Sequence, residues 1–302
     1  MWKTLIRPAM IFVPLTLGAL CPAAHVLNFL IRWMLVLMLF LVFLRTRTRE
    51  LRPRISHLRL LLANVLAGVA GYSVFLLAGA EPAAARAAFF VGITPTATAA
   101  AVVMGFLGGN IGYVACAFVT TNLGIALLLP LLLPWVCGEI SWGFVLKVVE
   151  TLCVVMALPW SLAALTRGIY PGAAEWPKKL STFTFGLWSA MLFIIAANAA
   201  AFFRDNPGQS WLTVLEIAGI SLVLCALNFT LGYVLGERGL KHEASQSLGQ
   251  KNTTLTIYLA LVYAGPLAAM GPVFYVLWHN SYNAIQLFLH DRLAQRGQPV
   301  SR

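Results

Sequence analysis

Acidic side chains are scarce in this chain, which has 10 Asp and Glu residues against 21 Lys and Arg residues. Charged residues of both signs make up only 10% of the sequence, whereas a soluble globular domain carries about 25%. This scarcity excludes an ordinary water-soluble domain. The hydrophobic share of 60% instead indicates a polytopic membrane protein, because runs of about 20 apolar residues cross a bilayer.

The side chains that enzymes and metal sites need are sparse and scattered. None of the five cysteines forms a C-x-x-C pair, so we expect no disulfide and no metal. The five histidines show no metal-ligand spacing, and the chain contains no P-loop. We therefore expect no cofactor, no catalytic residues and no enzyme activity, because a membrane enzyme needs such groups clustered at one depth.

The apolar runs predict ten membrane spans. They lie at Leu5–Leu20, Val26–Leu44, Leu58–Leu77, Ala85–Leu107, Ile111–Val136, Trp142–Leu165, Thr182–Phe203, Trp211–Leu235, Ser245–Ala264 and Ala268–Leu289. Lys3 and Arg7 come before an apolar stretch as in a signal peptide, but no A-x-A cleavage pattern follows at Leu20-Cys21-Pro22. The first span is therefore expected to remain uncleaved.

The distribution of basic residues predicts the orientation in the membrane. The loop that runs from Arg45 to Arg54 is strongly basic, so the positive-inside rule assigns it to the cytoplasm. Alternation from that loop puts most other Lys and Arg residues on the same side and predicts that both termini are cytoplasmic. Because topology explains the basic excess, we expect no nucleic-acid partner.

Polar runs interrupt two of the predicted spans. Thr94–Thr98 breaks the fourth span and Gly249–Thr254 breaks the ninth. Breaks at matching places in two halves are the best sequence indication of a transporter's binding site. Dividing the chain at Gly138–Ser141 leaves five spans in each half, so the halves have opposite orientations. We predict an all-α polytopic membrane protein with ten transmembrane helices as two inverted five-helix repeats, in which broken helices 4 and 9 cross in the core.

The ends of two such broken helices differ in their electrostatic character. The N-terminal ends carry partial positive charge that suits an anion, and the C-terminal ends suit a cation. Backbone groups freed by a break need partners from protein or from a wet cavity. The alternative is a pair of kinked helices whose backbone groups are satisfied by packing alone.

The motifs around both breaks are similar to those of a known transporter family. Pro95–Val103 is followed by Gly109-Asn110, and Ser247–Asn252 is followed by Gly265-Pro266 and Trp278-His279-Asn280. In order and spacing, the chain resembles the bile acid:sodium symporter family over essentially its whole length. The resemblance is to a divergent bacterial-type member, which implies an inner (plasma) membrane location.

The resemblance implies a division of the chain into two parts. A panel would consist of residues 1–55 with spans 1 and 2, and of residues 139–206 with spans 6 and 7. A core would consist of residues 56–138 with spans 3–5, and of residues 207–291 with spans 8–10. Residues 292–302 would form a cytoplasmic tail. In that family, two sodium ions bind behind the crossing of spans 4 and 9.

The sodium ligands of the family are missing from this chain. The aligned positions hold Ala100, Ala101, Val114, Phe118, Gly68 and Ser247. In addition, Lys251 replaces a glutamine. Hard cations bind oxygen ligands, and these residues offer no carboxylate. We therefore predict that the protein works without sodium.

A charged residue at membrane depth is energetically costly and therefore suggests a function. Lys251 has three interpretations. In the first, which we favour, its ammonium group replaces a bound cation among the half-helix C-terminal carbonyls and Asn252, with Ser247 and Gln250 nearby. A buried lysine of this kind could also titrate and couple transport to protons. The second is direct contact with an anionic substrate. The third is a snorkelling lysine or an ion pair with Glu150 or Glu243.

The function that we predict is secondary transport of a small organic anion of the carboxylate type by alternating access. The expected substrate-binding residues are Thr94, Pro95, Thr96, Thr98, Asn252, Thr253, Thr254, His279 and Asn280. Membrane lipid is an expected partner, while proton coupling and the choice between monomer and homodimer stay open. The alternatives are an ordinary sodium-coupled symporter of the same fold, a non-transporting membrane sensor or binding protein, and an integral-membrane enzyme.

Overall fold

The computed structural model describes residues 12–45, 51–208 and 210–295. The beginning of the first predicted span, with Lys3 and Arg7, lies outside these ranges. So do residues 46–50 of the basic loop and the C-terminal tail from residue 296 onward.

The first half of the chain is helical in the order that the apolar runs predict. Residues 12–20 form α1. After a 3₁₀ turn at Pro22–Asn28, the helices are α2 (Phe29–Arg45), α3 (Ile55–Leu77), α4 (Pro82–Ile93), α5 (Thr98–Phe106) and α6 (Ile111–Cys137).

The second half begins after the turn at residues 138–141. Its first helices are α7 (Trp142–Leu152), a π-helical turn (Cys153–Ala157) and α8 (Leu158–Ile169). A 3₁₀ turn (Pro171–Glu175) leads to α9 (Trp176–Lys179), α10 (Ser181–Asp205), α11 (Trp211–Leu235), α12 (Lys241–Gly249), α13 (Thr253–Tyr263) and α14 (Pro266–Gln295).

Several helices have the length and composition of membrane spans. Among the described residues, the stretches that qualify number six: Pro22–Arg45, Ile55–Leu77, Ile111–Cys137, Trp142–Ile169, Ser181–Asp205 and Trp211–Leu235. Large apolar side chains such as Leu77, Leu127 and Leu215 are exposed on the outer surface, which suits contact with lipid. The protein is an all-α integral membrane protein, as the composition predicts.

Both polar runs interrupt helices, and the residues explain where the helices stop. Pro95 lacks an N–H and restricts Thr94 to extended backbone, with φ −56° and ψ 125°, so α4 ends at Ile93. The second break begins after Gly249, where Gln250 has φ −87° and ψ 102°. The predicted breaks in spans 4 and 9 are therefore present as changes of backbone direction.

Glycines let the long helices approach the broken ones closely. A Cβ on Gly92 of α4 would lie 2.3 Å from the backbone nitrogen of Gly68 on α3. In the second half, a Cβ on Gly232 of α11 would lie 2.6 Å from the Ala244 carbonyl oxygen on α12. Small residues at helix contacts are typical of packing in membranes. They bring α3 against the broken helix of the first half and α11 against that of the second.

Candidate functional site

The two unwound segments pair with each other in an antiparallel arrangement centred on Thr96 and Lys251. The Ala97 N–H donates to the Gln250 carbonyl at 2.8 Å, and the Asn252 N–H donates to the Pro95 carbonyl at 2.8 Å. We call these paired segments, residues 94–97 and 250–252, the crossing. The pairing supplies partners for backbone groups that the breaks would otherwise leave unsatisfied.

Side chains fasten the crossing from both sides. The Thr96 hydroxyl donates to the Ser247 carbonyl, while the Thr96 N–H donates to Thr121 Oγ1 at 3.1 Å. Asn122 Nδ2 donates to the Thr96 carbonyl at 2.9 Å, and Asn252 Nδ2 donates to Asn122 Oδ1 at 3.3 Å. Thr121 and Asn122 are not among the residues predicted from sequence, where their signal is a polar pair inside the apolar helix α6.

Thr94, Pro95 and Thr96 hold the crossing and are not among the residues that line the adjoining cavity. Thr94 and Thr96 have no exposed surface. The Thr94 hydroxyl donates to the Phe90 carbonyl and lies 2.8 Å from Thr256 Oγ1. The hydroxyls of both threonines thus have partners within the protein, and the role of these residues as substrate contacts stays a prediction. Ser247, predicted near Lys251, is likewise fully buried.

The Lys251 side chain closes the C-terminal end of α4. It is 2% exposed, and its Nζ donates to the Gly92 carbonyl at 3.1 Å and to Asn64 Oδ1. Gly92 lies in the last turn of α4, where the helix dipole is negative. We call Gly92, Lys251 and Asn64 the first end of the crossing. The expected carbonyl partner is present, whereas the expected partner Asn252 instead donates through its amide nitrogen to Asn122.

The two acidic residues considered as partners of Lys251 do not pair with it. Glu243 accepts a hydrogen bond from the Asn110 N–H at 2.9 Å, at the turn between α5 and α6. Glu150 lies on α7 and is exposed. Within the described ranges, the hydrogen-bond partners of the ammonium group are a backbone carbonyl and the neutral amide of Asn64. Asn64 is not among the residues predicted from sequence, where it is an isolated amide in the apolar helix α3.

A cavity of about 330 Å³ lies beside the crossing, between α2 and α10 on one side and α5, α13 and α14 on the other. Its polar lining includes Thr98, Thr184, Gln250, Lys251, Asn252, Thr253, Thr254, His279 and Asn280. Its remaining lining includes Leu35, Met38, Leu39, Val42, Ala97, Ala99, Phe118, Trp188 and Val276. Of the predicted site residues, the cavity thus brings together Thr98, Gln250, Lys251, Asn252, Thr253, Thr254, His279 and Asn280.

Two helix starts face this cavity. Thr98 begins α5 and Thr253 begins α13, and neither helix has a side-chain cap at its first turn in the described structure. Such N–H groups carry partial positive charge and need an acceptor. His279 adds a polar side chain that is 4% exposed, and its Nδ1 has no hydrogen-bond partner among the described residues. Together these groups can receive an anionic or hydrogen-bond-accepting ligand.

The His, Cys, Asp and Glu side chains of the described residues do not cluster. Within residues 12–45, 51–208 and 210–295, no group of three or more His, Cys, Asp or Glu residues could hold a metal ion. Ala100, Val114 and Phe118 are buried and present only carbon side chains. The oxygens of Thr121 and Asn122 that do reach the crossing are engaged by protein donors.

Comparison with protein-family models found no matching family, and comparison with curated proteins found no match. Function is therefore inferred from the geometry of the crossing and of the cavity. Two features carry that inference: an ammonium group buried at a helix C-terminus, and two uncapped helix N-termini beside an apolar wall.

Proposed function

We propose that this protein is an integral-membrane carrier that moves a small organic anion by alternating access, without sodium, with Lys251 in place of a bound cation. The observation that carries the proposal is the position of the Lys251 ammonium group. It is buried at the crossing and donates to the Gly92 carbonyl and to Asn64. A cation at that position would satisfy the same oxygen atoms.

The proposed architecture is ten spans in two inverted five-span repeats. In each half a long helix, α3 or α11, precedes a broken helix, α4–α5 or α12–α13, and a further long helix follows. The antiparallel pairing of the two breaks supports this relation. We assign α1, α2 and α7–α10 to the panel (residues 1–55 and 139–206). The core comprises α3–α6 and α11–α14 (residues 56–138 and 207–291), followed by the tail at 292–302.

We assign the basic loop after α2 and both termini to the cytoplasmic side of a bacterial-type inner membrane. Arg54 of that loop pairs with Glu237 of the loop between α11 and α12 at 3.1 Å, as expected for two loops on one side. The cavity reaches Val42 near the end of α2 and Thr184 near the start of α10. It therefore lies toward the side assigned to the cytoplasm, which corresponds to an inward-facing state.

The proposed substrate is a small carboxylate with an apolar body. Each uncapped helix N-terminus at the cavity, at Thr98 and at Thr253, contributes about half a positive charge. Leu35, Met38 and Trp188 offer apolar surface opposite these termini. A volume of about 330 Å³ falls at the small end of ligand sites, which span about 300–1,000 Å³.

The hydrogen bonds of Lys251 favour the cation-replacement interpretation over the other two. Its Nζ donates to groups of α3 and α4, so the ammonium is occupied by protein acceptors. Direct binding of a substrate anion would require it to leave them. Snorkelling to the surface does not suit a side chain that is 2% exposed. A tethered ammonium needs no ion from solution, because its effective concentration at the site is set by the chain itself.

A contact between panel and core supports alternating access. Tyr263 at the end of α13 shares a hydrogen bond of 2.6 Å with Thr151 and donates to the Lys147 carbonyl at 3.0 Å, both on α7. Its ring also packs edge-on against Phe144 of α7. These contacts lie toward the side opposite the basic loop, so they would close the outer side while the cavity faces inward.

The decisive test is uptake of radiolabelled small monocarboxylates into vesicles containing the purified protein. Uptake is expected to be equal in sodium and in choline at constant ionic strength. Lys251→Met should abolish or cripple it, and added sodium should not restore it. Lys179→Met removes an exposed lysine and should leave uptake intact. Wild-type uptake that rises steeply with sodium would overturn the proposal in favour of a sodium symporter.

A second test concerns the outer contact. In a background without native cysteines, Thr151→Cys combined with Tyr263→Cys, bridged by a bis-methanethiosulfonate reagent whose spacer replaces the length of the tyrosine ring, should lose uptake, and reduction should restore it. Uptake that continues in the fully cross-linked protein would contradict a rocking motion of α7 against α13. The single substitutions, treated with the same reagent, serve as controls.

A further inference from the structure

We propose that Tyr275, held by Asn228, is the counterpart of Lys251 at the other end of the crossing, a built-in donor that positions the start of α13 at the anion cavity. This role rests on the proposed function for the cavity, but the hydrogen bond itself can be tested without transport. Tyr275 would be a positioning residue, because it acts through the backbone of the crossing.

The Tyr275 side chain ends on the last residue of α12. It has no exposed surface, and its Oη donates to the Gly249 carbonyl at 2.8 Å. Asn228 of α11, also fully buried, donates from Nδ2 to the Tyr275 oxygen at 3.3 Å. We call Gly249, Tyr275 and Asn228 the second end of the crossing.

The second end repeats the arrangement of the first. At both, a glycine carbonyl at the C-terminal end of a half-helix accepts from a buried side chain, either Lys251 or Tyr275. At both, that side chain is also bonded to an asparagine on the long helix that precedes the broken one, Asn64 on α3 or Asn228 on α11. The two glycine carbonyls belong to different halves of the chain, so the same arrangement occurs once in each half.

Carbonyls in the last turn of α12 have hydrogen-bond donors, and for the Gly249 carbonyl that donor is Tyr275. The Gln246 carbonyl accepts from the Gln250 N–H, and the Ser247 carbonyl accepts from the Thr96 hydroxyl. Helix C-termini leave their last carbonyls without intrahelical partners. Without the tyrosine hydroxyl, the Gly249 carbonyl would be a buried acceptor without a hydrogen-bond donor, next to the crossing.

Two paths connect Tyr275 to the cavity. Gly249 is directly followed by Gln250–Asn252, the segment that pairs with residues 95–97 and leads into the first turn of α13. On α14, the Tyr275 ring packs edge-on against His279, with ring centroids 5.4 Å apart. Tyr275 therefore fixes the helix start and the histidine that line the cavity.

The ordinary explanation for a buried tyrosine is space filling, since its ring packs in an apolar cluster with Ala84, Val91 and Leu224. Tyr275→Phe separates the two roles, because it keeps the ring and removes only the donor. The first measurement is hydrogen–deuterium exchange of the purified protein in detergent. The Ala97 and Asn252 amides, which form the crossing, should exchange about tenfold faster in Tyr275→Phe, the factor expected for one ordinary hydrogen bond.

Tyr233→Phe provides the control, because Tyr233 is exposed and lies outside the crossing. It should leave the exchange of both amides unchanged. Unchanged protection in Tyr275→Phe would overturn the inference and leave space filling as the role of the ring.

The second measurement is the affinity for butyrate, added as its choline salt and followed by the fluorescence of Trp188, which lines the cavity. Tyr275→Phe should weaken binding by about tenfold, and in vesicles it should raise KM more than it lowers kcat. Equal affinity of the variant and the wild type would overturn the positioning role. If the wild type itself binds no butyrate and no other monocarboxylate, the proposed substrate class fails, while the exchange result still decides whether the second end holds the crossing.

Discussion

The two ends of the crossing meet the same structural need with different chemistry. At the first end, a flexible ammonium group donates to the Gly92 carbonyl, and at the second end the rigid hydroxyl of Tyr275 donates to the Gly249 carbonyl. Lys251 adds full charge, which suits a negative helix terminus but is costly to remove from water. Tyr275 is neutral and avoids that cost. The comparison indicates that the C-terminal carbonyl of each half-helix needs a buried donor, which either a charged or a neutral side chain can supply.

The two glycines that carry these carbonyls provide the largest test of the comparison. A Cβ on Gly92 would lie 2.3 Å from the backbone nitrogen of Gly68, whereas a Cβ on Gly249 would lie 2.3 Å from the ring of Phe229. Backbone cannot move aside without separating α3 from α4. We therefore expect Gly92→Ala to destabilise the protein by about 3 kcal/mol and to reduce the yield of folded protein sharply.

Gly249→Ala should be milder, because the Phe229 ring can shift. Gly71→Ala on α3 is the matched control, since its Cβ would lie 3.6 Å from the nearest atoms, an ordinary contact. The measurements are the yield of monodisperse protein and the melting temperature. Equal losses for Gly92→Ala and Gly71→Ala would contradict the tight packing at the first end.

The asparagines at the two ends, Asn64 and Asn228, allow a second comparison of stability losses. Asn64→Leu leaves a buried ammonium group with one of its two protein partners, which should cost about 3 kcal/mol. Asn228→Leu removes one hydrogen bond to a neutral hydroxyl at 3.3 Å and should cost about 1 kcal/mol. Unfolding free energies in detergent check this order. A larger loss of unfolding free energy for Asn228→Leu than for Asn64→Leu would contradict the role of Asn64 in stabilising the Lys251 ammonium group.

Small amines offer a milder probe of the first end. Lys251→Ala leaves the Gly92 carbonyl and Asn64 Oδ1 facing the space vacated by the side chain. Ethylammonium should bind there and raise the melting temperature of the variant. At a hundredfold excess over Kd, its binding should increase the free energy of unfolding by about 2.7 kcal/mol. The wild type and Lys251→Met, whose side chains fill the space, should show no shift. An unchanged melting temperature of Lys251→Ala in ethylammonium would argue against a site that can hold a cation.

Much of the fold could be predicted from sequence because its signals are local. Proline at 95 and glycine at 249 stand among polar residues in apolar runs, so both breaks are visible without a structure. Thr98, Asn252 and His279, which the sequence predicts as substrate contacts, line the cavity. Each lies in or beside a motif that distinguishes it from its apolar surroundings.

The donors and acceptors that complete the crossing could not be predicted in the same way. Asn64 and Asn228 are single amides in apolar helices, and Tyr275 resembles any aromatic residue of a span. Their roles depend on partners far away in sequence, such as Lys251 for Asn64 and Gly249 for Tyr275. The internal hydrogen bonds of Thr94 and Thr96 could not be predicted for the same reason, since their partners Thr256 and Ser247 are also distant in sequence.

The most direct test of Lys251 as a replacement for a bound cation is the melting temperature of the detergent-purified protein in sodium, potassium and choline, measured alongside Lys251→Gln. An ion that binds the folded state must stabilise it in proportion to its concentration. We expect no sodium-specific shift for the wild type and a lower melting temperature for Lys251→Gln in all three salts. A saturable rise in wild-type melting temperature with sodium would contradict it and indicate an ordinary sodium site at the crossing.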